Sequence, residues 1–354
     1  MRAHAVELQH ATGELHNGDW VDFNPLTPTH SIKLKHPLEY KMSGNPLFTT
    51  LHPVSHDPVG NKAFSLVSPD WVAAHFNEPD LRIIDVRPVH DYLAAHVPNA
   101  VHIPEAAIQS SRGSLPAQYI DPPEMAALYG RAGIGADTRV VLYSSGEDVL
   151  GATVMAYSLQ RIGHRHIMVM DGGVDDYRLR HPMTQIYPDG VEPQTLPGKL
   201  DKTLFITHQD VLEALDKPGV VLLDARPAHY YLGNSHQWMR NGHIPGAISF
   251  DWHQLTYHAS LPAFQNAHRF KPVDTMLEMI AATGITKADD IIVYCGTSRE
   301  ASLLFETIKN LLGYPKVRLY EGSMTEWSAL SQYPIQTAGK LVQPTPKSAT
   351  TTGE

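Results

Sequence analysis

The sequence predicts an α/β protein made of two tandem copies of one unit. Each copy is a central, mostly parallel sheet with helices on both faces, and an irregular N-terminal arm precedes them. Three observations predict this. Short β-prone apolar runs alternate with segments of helical spacing, the pattern of strand–helix–strand crossovers. Four segments recur in the same order along the chain. Each copy also has a strand that runs into a small polar loop and then a helix, and ligands of parallel sheets bind at such carboxyl ends of strands.

Residues 1–61 read as an extended arm. Pro25, Pro28, Pro37, Pro46, Pro53 and Pro58 punctuate them closely and periodicity is weak. The first copy is expected over 62–185. Ser68 and Pro69 mark a helix start. Leu81–Arg87, Arg139–Tyr143 and Ile167–Met170 read as buried strands, and Pro122-Pro123-Glu124 opens a further helix. A linker near Pro182 to Leu200 carries Pro188, Pro193 and Pro197. The second copy is expected over 200–340, and 341–354 reads as a flexible tail.

The repeat is explicit. Asp85-Val86-Arg87-Pro88 answers to Asp224-Ala225-Arg226-Pro227, and His96-Val97-Pro98-Asn99-Ala100 to His243-Ile244-Pro245-Gly246-Ala247. Val140-Val141-Leu142-Tyr143-Ser144 answers to Ile291-Ile292-Val293-Tyr294-Cys295, and Met170-Asp171-Gly172-Gly173 to Tyr320-Glu321-Gly322-Ser323. The copies differ where chemistry is expected. Ser144 stands in the place of Cys295, and the loop after it, with Glu147 and Asp148, carries two acids and no cation. An unassisted serine is a poor nucleophile, and the Gly-x-Ser-x-Gly elbow of serine hydrolases is missing. The first copy therefore reads as structural or interfacial.

Composition narrows the function. A net charge of -9 argues against general nucleic-acid binding. No apolar run approaches the ~18 residues needed to span a bilayer. A single cysteine excludes an intrachain disulfide and any Cys-rich metal site. Many of the 21 histidines are scattered through loop-like sequence, with no His-x-x-x-His pair beside a Glu. No metal or other cofactor is expected. Met1 to Gly18 lacks the apolar core of a signal peptide, so the cytoplasm is the expected location, or the periplasm if the chain is a processed form.

Cys295 is the candidate nucleophile. A lone cysteine is most often a small buried hydrophobe. Here, however, Gly296-Thr297-Ser298-Arg299-Glu300 follows it, which is poor core material. The free N–H groups and dipole of the next helix are expected to lower the thiol pKa and stabilise thiolate. Gly296, Thr297, Ser298, Arg299 and Glu300 are the expected substrate-binding loop. Arg299 is its only cation and the expected clamp for an anionic donor. A cysteine phosphatase would need an arginine six positions after the nucleophile, where Ala301 stands.

These motifs resemble the tandem-domain rhodanese sulfurtransferases. The matches are Asp224-x-Arg226, Gly242-His243-Ile244-Pro245-Gly246-Ala247, the Tyr294-Cys295 loop and Glu321-Gly322-Ser323-Met324-x-Glu326-Trp327. The resemblance covers roughly residues 64–337 and implies two rhodanese-like domains, the first inactive. It also implies the reaction: Cys295 takes a sulfane sulfur as a persulfide and passes it to a thiol or cyanide acceptor. Thiosulfate is the expected donor. A 3-mercaptopyruvate donor, or a sulfur carrier serving a protein acceptor, stays open. The two basic residues that follow the cysteine in some thiosulfate enzymes are replaced by Gly296 and Thr297. The second copy is also longer between its motifs: Asp224 to His243 spans 19 positions, against 11 from Asp85 to His96. That insertion holds Asn234, His236, Trp238 and Arg240, and is expected to form a flap with Arg240 as a second substrate-binding cation.

Overall fold

The computed structural model describes residues 57–257, 268–338 and 340–342. The expected arm lies outside these residues except for its last five positions, and the expected tail except for its first two. All described residues belong to one unit of the chain, Val54–Glu354.

The strands of the first copy are β1 (Val59–Gly60), β2 (Ser65–Val67), β3 (Leu81–Asp85), β4 (Ala100–His102), β5 (Gln109–Arg112), β6 (Leu115–Tyr119), β7 (Arg139–Tyr143) and β8 (Ile167–Met170). Those of the second are β9 (Phe205–Ile206), β10 (Val220–Asp224), β11 (Ile248–Ser249), β12 (Asp290–Tyr294) and β13 (Val317–Tyr320), followed by the hairpin β14 (Ile335–Thr337) and β15 (Lys340–Val342). The first sheet runs β1-β2-β8-β7-β3-β4 and the second β11-β10-β12-β13-β9. Pairing β2 with β9, β8 with β13, β7 with β12, β3 with β10 and β4 with β11 makes the two orders identical. All these neighbours are parallel, and only β1 is antiparallel to its partner. The first copy adds the antiparallel hairpin β5–β6. The sequence repeat is thus a repeat of topology.

The central strands are apolar along their length because helices cover both faces. Val140 to Tyr143 and Ile291 to Tyr294 are all fully buried. The expected cap at Ser68 forms: its side chain accepts from the Trp71 N–H and starts the helix Pro69–His75.

The two copies share a core. Every residue of the helix Val149–Arg161 is buried. Such a helix, apolar nearly all round, belongs in an interior and not on a surface. It lies against the helix Arg299–Phe305 of the second copy, and one apolar cluster joins Val149, Leu150 and Tyr157 to Leu303, Leu304 and Phe305. Burying Leu303, Leu304 and Phe305 contributes about 5–9 kcal/mol before entropic costs. Polar bonds cross the same seam. Thr153 Oγ1 meets Ser302 Oγ at 3.0 Å, and Glu321 accepts from Tyr157 Oη and Arg161 Nε, each at 2.8 Å.

The Asp-x-Arg motifs are buried ion pairs that hold loops. Arg226 donates to both Asp224 oxygens, at 2.9 and 2.6 Å, and to the Gly242 carbonyl at 2.8 Å. Arg87 repeats this with Asp85 and the Ala95 carbonyl. Their presence in both copies follows from this shared architectural task.

Candidate active site

Cys295 follows the last residue of β12, at the carboxyl end of the central strand of the second sheet. Gly296, Thr297 and Ser298 carry the chain into the helix Arg299–Phe305. Ser298 makes the turn with left-handed backbone, φ +71°. It is buried, and its hydroxyl donates to Tyr119 Oη at 3.0 Å. Tyr119 ends the hairpin of the first copy, so that copy supplies a wall of the site.

The loop is anchored from beneath by the helix Ser323–Trp327. The Met324 N–H donates to the Cys295 carbonyl at 3.0 Å, and the Thr325 N–H to the Gly296 carbonyl at 3.0 Å. Thr325 Oγ1 donates to the same Gly296 oxygen at 2.8 Å. Ser323 Oγ accepts from the N–H groups of Cys295 and Ser298, at 3.2 and 3.3 Å, and donates to the Tyr320 carbonyl.

The loop is roofed by the insertion. Trp238 sits so close to Gly296 that a Cβ there would come within 2.6 Å of the indole. The same indole stacks over the Arg226 guanidinium at 4.7 Å and meets Tyr230 edge-on at 5.0 Å. Glycine at 296 is required by this roof.

Under it the sulfur is fully buried. Burial pushes the Cys295 thiol well above its ordinary range, and the Glu300 carboxylate beside it pushes in the same direction. The N–H groups of Ala301 and Thr297 act on the sulfur the other way. The sequence expectation of a lowered thiol pKa is therefore corrected for this closed site. Helix-end amides do face the sulfur, but desolvation outweighs them.

The two arginines expected to bind substrate are committed elsewhere. Arg299 points to the first copy, with Nε 2.5 Å from Glu105 Oε1 and Nη2 2.9 Å from Glu105 Oε2 and 2.5 Å from Asp148 Oδ2. Arg240 donates to the carbonyls of Ser328, Tyr333, Trp327 and Leu330, at 2.9, 2.7, 3.1 and 2.7 Å. It ties the insertion to the end of the helix Ser323–Trp327 and the chain after it, with four of its five N–H donors on carbonyls. Glu300 does lie at the sulfur, and its Oε2 is buried with no hydrogen-bond partner. Tyr119, Ser323 and Thr325 were not singled out in the sequence. The signals for Ser323 were its place opposite Gly173 in the repeat and its place in the motif Glu321-Gly322-Ser323-Met324. Among the described residues no group of three or more His, Cys, Asp and Glu side chains is arranged to hold a metal ion.

A parallel sheet that delivers a cysteine into a loop of inward-facing amides defines a protein of thiol-centred group transfer. Comparison with known proteins identifies the class. The family model described as "Rhodanese-like domain" matches residues 68–180 and again 207–330. The chain belongs to this family, as a tandem pair of its domains, and is a transferase of the sulfurtransferase type. A protein of Synechococcus elongatus named putative thiosulfate sulfurtransferase is 40% identical over 275 residues, covering 77% of this chain and 84% of that one. A Thermus thermophilus protein named sulfur carrier protein TtuD is 31% identical, covering 76% of this chain and 95% of its own. The solved structure of a 3-mercaptopyruvate sulfotransferase from Escherichia coli shares the fold with a TM-score of 0.63 and 24% identity, over 73% of this chain and 98% of that one.

Proposed function

We propose that the chain moves sulfane sulfur through a Cys295 persulfide, with thiosulfate as donor and a thiol or cyanide as acceptor. One observation carries this reading. The second copy keeps a sulfur at the end of its central strand with the Thr297 and Ala301 N–H groups on it, where the first copy has Ser144. The name of the Synechococcus relative supports the donor.

In the reaction the Cys295 thiol gives up its proton as the donor enters, to the Glu300 carboxylate that acts on it. The thiolate attacks the outer sulfur of thiosulfate, the S–S bond breaks and sulfite leaves with its electron pair. The loop amides then hold the persulfide anion. Attack by cyanide on the outer sulfur regenerates the thiolate and yields thiocyanate. Incubation with thiosulfate should add one sulfur, about 32 Da, to the intact mass. Cys295→Ser should add none. A wild-type protein that gains no mass from any sulfane donor overturns the reading.

A second reading is favoured by the Thermus relative, which is named a sulfur carrier. On that reading the acceptor is a protein, and the chain loads once and releases slowly. Steady turnover with cyanide separates the two. No helix among the described residues is long and apolar enough to cross a membrane. A cytoplasmic site of action is part of the proposal, tested by cell fractionation.

A further inference from the structure

We propose that Thr325 is a positioning residue whose hydroxyl sets which way the Gly296–Thr297 peptide faces, and so aims the Thr297 N–H at the Cys295 sulfur. This rests on the reading of Cys295 as the sulfur-bearing residue.

The carbonyl and N–H of one trans peptide point in opposite directions. The Gly296 carbonyl is held towards the helix Ser323–Trp327 by two donors of Thr325, its N–H at 3.0 Å and its Oγ1 at 2.8 Å. The Thr297 N–H of that same peptide is thereby turned away from the helix and onto the sulfur, where it acts. Ser323 holds both ends of the loop, with its Oγ on the N–H groups of Cys295 and Ser298. It does so from left-handed backbone, φ +48°. Non-glycine residues adopt that conformation at a cost, and such strain collects at functional sites.

The first copy shows the opposite setting. With Ser144 placed on Cys295, Gly146 falls on Thr297. With Gly173 placed on Ser323, Asp175 falls on Thr325. The Asp175 side chain has only acceptors to offer, and its Oδ2 takes the Gly146 N–H at 2.6 Å. The Ser145 carbonyl, the counterpart of the Gly296 carbonyl, is accordingly taken by the Asp148 N–H at 3.2 Å. The loop also rests on Gly173, where a Cβ would come within 2.6 Å of the Ser144 oxygen. What both copies keep is the first anchor: the Val174 N–H holds the Ser144 carbonyl at 2.9 Å, as Met324 holds that of Cys295. A donor at 325 and an acceptor at 175 thus go with opposite orientations of the same peptide.

The test uses Thr325→Val, Thr325→Ser and Thr325→Asp in the full chain. The groups acting at the sulfur besides the two amides are Glu300, Arg226 and Tyr119, and none of these is altered. Two quantities are read for the Val and Ser variants: the pH midpoint of Cys295 alkylation by iodoacetamide, and the rate of sulfur loading. Thr325→Val keeps the shape and loses the hydroxyl bond. Its midpoint should rise by about 0.5–1 unit and its loading rate should fall about 3- to 10-fold. Thr325→Ser keeps the hydroxyl and should restore both. A crystal structure of Thr325→Asp should show the Gly296–Thr297 peptide turned as Ser145–Gly146 is. An unchanged midpoint in Thr325→Val, with or without a change in melting temperature, overturns the proposal, as does an unturned peptide in Thr325→Asp. Alkylation needs no sulfur donor, so a wild-type protein that fails to load sulfur counts against the proposed function and leaves this test in force.

Discussion

Asp148 and Arg299 hold equivalent positions in the two copies and are bonded to each other. Each is the fourth residue after the last position of the shared strand motif, Ser144 in one copy and Cys295 in the other. Arg299 Nη2 reaches Asp148 Oδ2 at 2.5 Å, and Glu105 takes the Nε–Nη2 edge of the guanidinium. The acid in the loop without a cysteine is the counter-charge of the active loop. The first copy is in this sense part of the second copy's site, as Tyr119 also shows.

Arg299 should behave as a strut. Arg299→Met leaves Glu105 and Asp148 facing each other without a cation and should cost about 1.5–3 kcal/mol of stability, read by urea unfolding. Asp148→Asn should cost less, because the two-point bond to Glu105 remains. The fall in kcat/KM for Arg299→Met should be the same for thiosulfate and for an uncharged polysulfide. A fall confined to thiosulfate would show instead that the guanidinium leaves its carboxylates to bind the donor.

The roof over Gly296 controls access to the sulfur. Trp238→Ala should raise the rate of Cys295 alkylation at fixed pH, because the indole no longer covers the loop. Gly296→Ala should do the same in a protein that keeps the tryptophan, since the new methyl meets the indole and displaces it. In that variant the tryptophan emission should also shift to longer wavelength. An unchanged alkylation rate in both proteins would place the route to the sulfur elsewhere.

Glu306 makes the seam between the copies sensitive to pH. It is fully buried, accepts from Gln160 Nε2 at 2.9 and 2.8 Å and from Asn310 Nδ2 at 2.7 Å, and burial pushes it up to about 8. Lys309 and Arg165 oppose that rise. The unfolded chain ionises this group near 4.5, so the folded state binds the extra proton between the two values. Stability from this group is complete below about 4.5 and is lost as pH rises to about 8. Asp171, pushed up to about 7 by burial, adds a loss of the same sign. Glu306→Gln should therefore raise the melting temperature at pH 8 and leave it nearly unchanged at pH 4.5. A gain of equal size at both pH values would mean that Glu306 does not titrate in this window.

Much of this protein was determined by sequence alone. The alternation of β-prone runs with helical segments, and their recurrence in order, are local patterns, and they were enough for two copies of one sheet topology. The placement of Cys295 at a strand end followed from the run Ile291–Tyr294 ahead of it. The Asp-x-Arg pairs recur in the copy without the cysteine, as a frame element would, and both are buried ion pairs. Tertiary structure decided the rest. Nothing near Arg299 in sequence shows that Glu105 and Asp148 will claim it, and nothing near Arg240 shows four carbonyls converging on its guanidinium. The thiol pKa was expected to fall because the adjoining helix end is local, yet it rises. Desolvation depends on everything that closes over the sulfur, and Trp238 and Tyr119 come from segments far away in the chain. The direction of the loop peptide was equally hidden, because it is set by a hydrogen-bond donor thirty residues from the sulfur, brought beneath the loop by the parallel pairing of β12 with β13.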